Sequence, residues 1–280
     1  MDVLNFDTLK SAIGLGVAGN FAGHLEQAGE ASDFRNIKTT KEEEPKGLFP
    51  FYIPNDPGFL STFPLSFDTM LLPKDERSER IQIEPEVALL CDVQYEGDKV
   101  KTLIPHSLAA YNDCSIRLPA EKISRKKNWG PHSKGMSQQV IPISSFSPES
   151  NIKFLRLACL LTRDGITEEY GVDSLLDDYS YFYQTLLDWT VEKINTQQSI
   201  GPLERISSLL SDSKPDTAII SIGATRYTEF GKKRYLKPND VIYVIIYDTR
   251  VWSNPRDIIR VDSNGNEVSD VSVLCQTVIQ

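Results

Sequence analysis

Two glutamates separated by a single residue, Glu84 and Glu86, have the clearest potential for chemistry. They follow Ile81 in a segment that starts with polar–apolar alternation and continues as an apolar run, which predicts a β-strand. Side chains two positions apart on a strand point to the same face, so both carboxylates would project together. Like charges at this separation repel each other unless a cation compensates them, and carboxylate oxygens suit Mg²⁺, Mn²⁺ or Ca²⁺. The alternative is a solvent-facing strand with two hydrated glutamates.

A second candidate motif is a run of glycines near the start of the sequence. Gly14, Gly16 and Gly19 match the GxGxxG pattern of dinucleotide-binding loops. That pattern works where a strand leads into a tight turn and a helix N-terminus, with an acidic residue about twenty positions later. Here residues 6–12 predict a weak strand at best, and residues 35–44 form a polar loop without a preceding apolar run. An NAD(P)-dependent oxidoreductase is therefore an alternative function and not the leading one.

Composition and net charge indicate which classes of protein this sequence can belong to. The 280 residues include 40% hydrophobic and 25% charged side chains, which is typical of a folded globular protein. A net charge of −9 argues against a nucleic-acid-binding protein, because phosphate contacts need lysine and arginine. The densest basic run, from Lys122 to Lys127, predicts a solvated loop. Because there is neither a signal-like start nor an apolar stretch of about 20 residues, we expect a cytoplasmic protein without membrane contact.

The elements that must position these residues indicate the fold class. Residues 1–75 combine glycine-rich and proline-rich stretches with a charged loop, which predicts a loop-rich lid region packed on the core. Residues 76–280 are expected to form a β domain that makes one composite globular unit with the lid region. Strands outnumber helices in this part and do not alternate regularly with them. The expected fold class is therefore α+β with a mixed or mainly antiparallel sheet.

Hydrophobic periodicity places the individual elements. Helical spacing of apolar residues is clearest over residues 172–195, and shorter helices are predicted over residues 21–27 and 203–210. An Asn–Gly pair predicts a hairpin turn within residues 262–266. The predicted strands cover residues 81–93, 152–162, 218–222 and 241–247.

Several short segments, taken in chain order, resemble the fumarylacetoacetate hydrolase family. Residues 83–90 (IEPEVALL) resemble the family's "yEvELavvig" strand, whose two glutamates bind metal. Residues 110–117 (AYNDCSIR) resemble its "GYtiaNDvtaR" motif, in which Asp113 would be the third ligand and Arg117 would orient the aspartate's segment. The other matching segments are residues 13–24 (IGLGVAGNFAGH), 44–51 (EPKGLFPF), 133–135 (SKG), 222–225 (IGAT) and 235–241 (YLKPNDV). Each match is short, but together they keep the family's order.

The resemblance implies a metal site and its chemistry. Glu84, Glu86 and Asp113 would bind one divalent ion, Mg²⁺ or Mn²⁺ by preference or else Ca²⁺, and would leave open positions for substrate oxygens. Lys134 would face the substrate, and His24 would be the general base. The implied function is that of a hydrolase, lyase or isomerase acting on a small oxo-acid or dicarbonyl, with the metal stabilising an enolate.

The resemblance also implies an architecture. The family's fold is a mixed β-sandwich roll with peripheral helices, in which residues 76–280 would form the metal-binding β domain. The family dimerises, and the edge strands expected here need cover, so we expect a homodimer.

Four positions depart from the family's pattern, including Ala224 in the family's "GTP" turn and Asn239 in place of the glycine of "kpGD". The family usually has a glutamate three residues after the lid histidine, whereas this chain has Gln27, and Glu26 would project about 100° away on a helix. Phe51 stands where the family usually has a lysine. We therefore expect metal binding to persist while proton transfer is altered. A non-catalytic binding protein with the same fold is a further alternative.

Overall fold

The computed structural model describes residues 2–210, 214–263 and 270–280. Strands form where β-branched and aromatic residues are concentrated between turn-forming glycines and prolines. Within this part of the chain the strands are β1 (Asp2–Val3), β2 (Ile13–Ala18), β3 (Gly47–Tyr52), β4 (Leu65–Ser66), β5 (Thr69–Leu71), β6 (Ile81–Gln82), β7 (Pro85–Glu96), β8 (Lys99–Asn112), β9 (Ser115–Ile116), β10 (Lys134–Met136), β11 (Gln139–Pro142), β12 (Leu155–Arg163), β13 (Ile166–Leu175), β14 (Thr217–Ser221), β15 (Val241–Asp248) and β16 (Val271–Ile279).

Most of these strands belong to two packed sheets. The larger, nine-stranded sheet has the order β1-β11-β8-β7-β14-β2-β3, with β10 beside β8 and β4 beside β10. The five-stranded sheet has the order β13-β12-β15-β16-β5. Most pairs are antiparallel, but β14 runs parallel to β2, β16 to β5 and β10 to β4. Apolar side chains of both sheets, including Leu89, Leu157 and Val244, meet in one core. The predicted α+β class with a mixed β-sandwich is confirmed.

The helices are few and lie at the periphery of the sheets. The longest, α3, buries Leu186, Trp189 and Ile194 on one side and exposes its other side. Among the described residues, no helix is long and apolar enough to cross a membrane. The helices are α1 (His24–Gln27), α2 (Ser124–Lys127), α3 (Tyr183–Thr196), α4 (Ile206–Leu210) and α5 (Pro255–Ser263).

The helix predicted over residues 172–195 is wrong in its first part. Residues 166–175 form β13, which pairs with β12, and a 3-10 turn at Leu176–Asp178 follows before α3 begins. Leu176 and Tyr179 are buried in the core nevertheless. The spacing of the apolar residues therefore predicted burial correctly, whereas pairing with β12 determined the local structure.

The other short elements differ from prediction in length. The helix predicted over residues 21–27 is the single turn α1, and the helix predicted over residues 203–210 is the shorter α4. The hairpin turn predicted within residues 262–266 depends on an Asn–Gly pair that lies outside the described part of the chain, and α5 extends up to Ser263.

The first two glycines of the GxGxxG motif leave space for aromatic side chains of the neighbouring strand. Gly14 and Gly16 lie inside β2, and an added Cβ would come within 2.2 Å of the ring of Phe51 or Phe49 on the neighbouring strand β3. The helix that follows, α1, has a single turn. The motif therefore admits two aromatic rings, and it does not form the turn and helix N-terminus that a dinucleotide needs.

Residues 19–46 connect β2 to β3, and we call this stretch the lid segment. Its far end is anchored by Glu44, which accepts hydrogen bonds from the amide and hydroxyl of Thr40 at 2.6 and 2.7 Å. Trp189 and Lys193 of α3 reach the other carboxylate oxygen at 3.2 and 3.1 Å. Burial alone would raise the pKa of Glu44, but these partners lower it to about 2. Because β2 and β3 belong to the larger sheet, residues 1–75 supply strands as well as the lid segment.

Replacing Glu44 by glutamine should remove a pH-dependent part of the stability. Because the folded-state pKa lies below the ordinary 4.5, the charge stabilises the fold at pH values above 4.5, and this contribution disappears as the pH falls towards about 2. We expect E44Q to lower the free energy of unfolding by about 1–3 kcal/mol at pH 7 and by clearly less at pH 3. Urea denaturation at both pH values measures the difference.

The matched control is Glu192→Gln, because Glu192 is an exposed glutamate on α3 that also lies near Lys193. Its free energy of unfolding should change by less than about 0.5 kcal/mol. An E44Q loss that is equal at both pH values would contradict the electrostatic account of this anchor.

Candidate metal centre

The pairing of β7 with β8 explains why three carboxylates meet. Glu84 lies just before β7, Glu86 is the second residue of that strand, and Asp113 follows the last residue of β8. The register sets Pro85 opposite Asn112, and the Asp113 amide donates a hydrogen bond of 2.9 Å to the Glu84 carbonyl. The start of one strand and the end of its partner therefore bring the three side chains to one end of the hairpin.

The three carboxylates are close together and buried. One oxygen from each of Glu84, Glu86 and Asp113 lies within 4.8 Å of the other two. Their relative exposures are 3%, 2% and 0%, so the alternative of two hydrated glutamates is wrong. Ligand oxygens lie about 2.0–2.6 Å from Mg²⁺ or Ca²⁺ and therefore about 3–5 Å from one another. The donor set fits one divalent cation.

A lysine that we predicted to be solvated lies against this cluster. Lys127 is buried on α2, and its Nζ makes a close ion pair with Glu84 Oε2 and lies 2.5 Å from Asp113 Oδ2. The prediction of a solvated loop over Lys122–Lys127 is therefore wrong for its last residues. The buried carboxylates attract a cation that the sequence pattern alone shows only as part of a charged run.

A second cation, Arg117, joins the lid segment to the cluster. Its Nη1 donates to Glu30 Oε1 at 2.8 Å and its Nη2 to the Tyr227 hydroxyl at 2.7 Å, while Nη2 also makes a close ion pair with Glu84 Oε1. Its Nε donates to Gln82 Oε1 at 2.9 Å. Arg117 thus orients Glu84 and holds Glu30 rather than acting directly on the Asp113 side chain. Glu30 lies six residues after His24, and no motif in the sequence marks it as part of the site.

The two glutamates differ in their electrostatic environment. Burial would raise the pKa of Glu84, but Lys127 and Arg117 hold it well below its usual value. Burial and the neighbouring Asp113 raise the pKa of Glu86 well above its usual value. Of the two glutamates, Glu86 is therefore the one whose ionisation depends more on an added cation.

Lys134 lies behind Asp113. Its ammonium is 3.1 Å from Asp113 Oδ1 and donates to the backbone carbonyls of Asp113 at 2.9 Å and Cys114 at 2.8 Å. The side chain is fully buried, and burial lowers the pKa of Lys134 although Asp113 opposes this shift. These contacts use the three donors of the ammonium, so in this conformation Lys134 positions Asp113.

His24 faces the cluster from the lid segment. Its Nδ1 lies 2.9 Å from the carbonyl of Thr225, and its Nε2 lies 3.9 Å from Glu84 Oε1. A carbonyl can only accept, so Nδ1 donates this hydrogen bond, and Nε2 is the ring nitrogen that faces the cluster. Gln27 accepts a hydrogen bond of 2.8 Å from the Tyr227 amide, which fixes α1 against the loop after β14.

The space beside the cluster is small. The cavity holds about 20 Å³, which is room for a single water molecule. In this conformation the cavity has no room for a larger molecule. Side chains that line the cavity include His24, Glu30, Phe49, Glu84, Glu86 and Lys127.

Comparison with known protein families shows which family this chain belongs to. Residues 30–278 match the sequence pattern of a family of unknown function, DUF5718. The chain belongs to this family. No curated protein matches it.

Solved structures share the fold of this DUF5718 chain. The structure of Cg1458 with inhibitor has a TM-score of 0.54 at 15% identity, over 96% of this chain and 77% of that one. A 2-keto-3-deoxyarabinonate dehydratase has a TM-score of 0.51 at 14% identity, over 98% and 80%. A 5-carboxymethyl-2-hydroxymuconate delta-isomerase from Mycobacterium smegmatis has a TM-score of 0.52 at 13% identity, over 96% and 78%. The predicted resemblance to fumarylacetoacetate hydrolase proteins is confirmed, and at these identities it establishes the fold.

Replacing Arg117 should be costly, because it would leave Glu84 and Glu30 buried beside each other with less positive charge. We expect R117M to lower the free energy of unfolding by about 3–5 kcal/mol in urea denaturation. Arg156→Met is the control, since Arg156 pairs with Asp173 at 2.7 Å but remains 30% exposed, and it should cost about 1 kcal/mol or less. Equal losses in the two variants would show that Arg117 does not stabilise the cluster.

Proposed function

We propose that this protein is a divalent-metal-dependent lyase or isomerase that acts on a small oxo-acid or dicarbonyl compound. The observation that carries the proposal is the buried set of Glu84, Glu86 and Asp113, with oxygens within 4.8 Å of one another. Placing three carboxylates together away from water costs free energy that a divalent cation offsets. Two proteins with this fold are named as a 2-keto-3-deoxyarabinonate dehydratase and a hydroxymuconate isomerase, which supports the substrate class.

Oxygen ligands of this kind favour Mg²⁺ or Mn²⁺ as the resident ion. When bound, such an ion supplies a Lewis acid for a substrate oxygen on which negative charge develops. Arg117 and Lys134 keep Glu84 and Asp113 in place, because each cation contacts one of these carboxylates. The carboxylate geometry is thus held by side chains that need not touch the substrate.

His24 is the proton acceptor in this proposal. The Thr225 carbonyl holds Nδ1, so Nε2 is free to take a proton from the carbon next to a carbonyl group. Gln27 cannot accept a proton, and its side chain is occupied by the Tyr227 amide. Glutamine at the position of the family's lid glutamate favours lyase or isomerase chemistry over hydrolysis by a His–Glu pair.

Removing one carboxylate should weaken metal binding. We expect D113N and E86Q to bind Mn²⁺ at least about tenfold more weakly than the parent in isothermal titration calorimetry. Asp92→Asn is the control, since Asp92 is an exposed residue of the same strand β7 and should leave the dissociation constant unchanged. If D113N and E86Q bind Mn²⁺ as tightly as the parent, these residues are not its ligands.

Replacing His24 tests the catalytic part of the proposal. Small 2-oxo acids and 1,3-dicarbonyls are incubated in D₂O with Mg²⁺-loaded protein, and hydrogen exchange next to the carbonyl is followed by NMR. We expect H24N to slow exchange at least about 100-fold while Mn²⁺ affinity stays unchanged, because the ring does not supply a ligand. His106→Asn, an exposed histidine of β8, should exchange like the parent. A parent protein that binds Mn²⁺ but is inactive on the whole panel would instead favour the non-catalytic binding protein.

A further inference from the structure

The ammonium of Lys127 lies where two of the proposed metal ligands present their oxygens. It makes a close ion pair with Glu84 Oε2 and lies 2.5 Å from Asp113 Oδ2. The side chain is 4% exposed, so this contact is shielded from water and salt. Among the described cations, Lys127 is the one within ion-pair distance of both carboxylates.

The remaining oxygens of these two carboxylates also have cationic partners. Glu84 Oε1 pairs closely with Arg117, and Asp113 Oδ1 lies 3.1 Å from Lys134. Of these four oxygens, the two that Lys127 contacts are therefore the ones that Arg117 and Lys134 leave open to a divalent ion. An ammonium and a divalent ion cannot share them, because like charges at this distance repel strongly in a buried place.

We propose that Lys127 and the divalent ion occupy this position in turn. Lys127 is a tethered cation that compensates the carboxylates of the ion-free protein, and the metal must displace it in order to bind. The inference rests on the proposed function, since it concerns the metal affinity of the same carboxylates. It adds a residue, outside the segments that resemble the hydrolase family, that sets how tightly the metal binds.

The surroundings give the displaced ammonium a place to go. Its Nζ lies 5.3 Å from the centre of the Phe49 ring, which lines the same cavity and can hold a cation over its face. The Glu30 carboxylate borders that cavity as well. A rotation of the flexible lysine side chain could therefore move the charge from Glu84 and Asp113 towards Phe49 and Glu30.

The neighbouring residue on α2 supplies a matched control. Lys126 carries the same charge on the same helical turn, but it pairs with Glu30 at 3.3 Å and Asp33 at 2.9 Å rather than with the carboxylate cluster. Removing Lys126 changes the charge of the protein by the same amount without vacating the position between Glu84 and Asp113. General electrostatic effects are thereby separated from direct competition.

The test compares Mn²⁺ binding to the parent chain, K127M and K126M by isothermal titration calorimetry. The apparent affinity of a site is reduced by the fraction of molecules in which it is blocked. We expect K127M to bind Mn²⁺ about tenfold more tightly than the parent or better, and K126M to stay within about threefold of it. In EDTA, K127M should melt at a lower temperature than the parent, and Mn²⁺ should raise its melting temperature more than it raises that of the parent.

If K127M is poorly folded without metal, it is purified with Mn²⁺ present, and K127Q is measured beside it. A K127M protein that binds Mn²⁺ no more tightly than the parent overturns the competition, while binding by the parent leaves the proposed metal site intact. Absence of Mn²⁺ binding in parent and K127M alike overturns both proposals. Binding by K127M where the parent shows none supports the competition in its strongest form.

Discussion

The structure depends on the compensation of negative charge that is buried at one end of the β7–β8 hairpin. Glu84, Glu86 and Asp113 lie out of water and close to one another, and each would destabilise the fold if left alone there. Lys127 and Arg117 reduce that cost from the cavity side and the lid side. The strands and the lid segment around the cluster keep these charged groups at their relative positions.

Backbone pairing sets the relative positions of the charged side chains. The pairing that sets Pro85 opposite Asn112 places the start of β7 beside the end of β8. The three carboxylate side chains therefore meet although they come from two separate segments of the chain. Glycines in β2 then let the rings of Phe49 and Phe51 approach that strand closely, and Phe49 becomes a wall of the cavity. The lid segment completes the enclosure through Glu30, which reaches Arg117. The packing of β2 against β3, the charged groups of the cluster and the position of the lid segment therefore depend on one another.

Some of this arrangement could be predicted from the sequence because its signals are local. The spacing of Glu84 and Glu86 in a strand pattern predicts two carboxylates on one face, and it needs no knowledge of the rest of the fold. Asp113 carries no such signal, and only the order of several weakly similar segments connected it to the pair. Lys127 was beyond prediction, because a basic run has the same sequence whether it is hydrated or buried. For β13 the apolar spacing was compatible with a helix, and only pairing with β12 decides between the two structures.

We propose that three carboxylates surround one cation position, which Lys127 fills until a metal takes it. Crystals soaked with Mn²⁺ and measured for anomalous scattering test this most directly. The account predicts one anomalous peak within about 2.5 Å of oxygens from Glu84, Glu86 and Asp113, with the Lys127 ammonium moved away from Glu84 and Asp113. A protein saturated with Mn²⁺ that shows no peak there, or a peak there with Lys127 still in contact with both carboxylates, would contradict it.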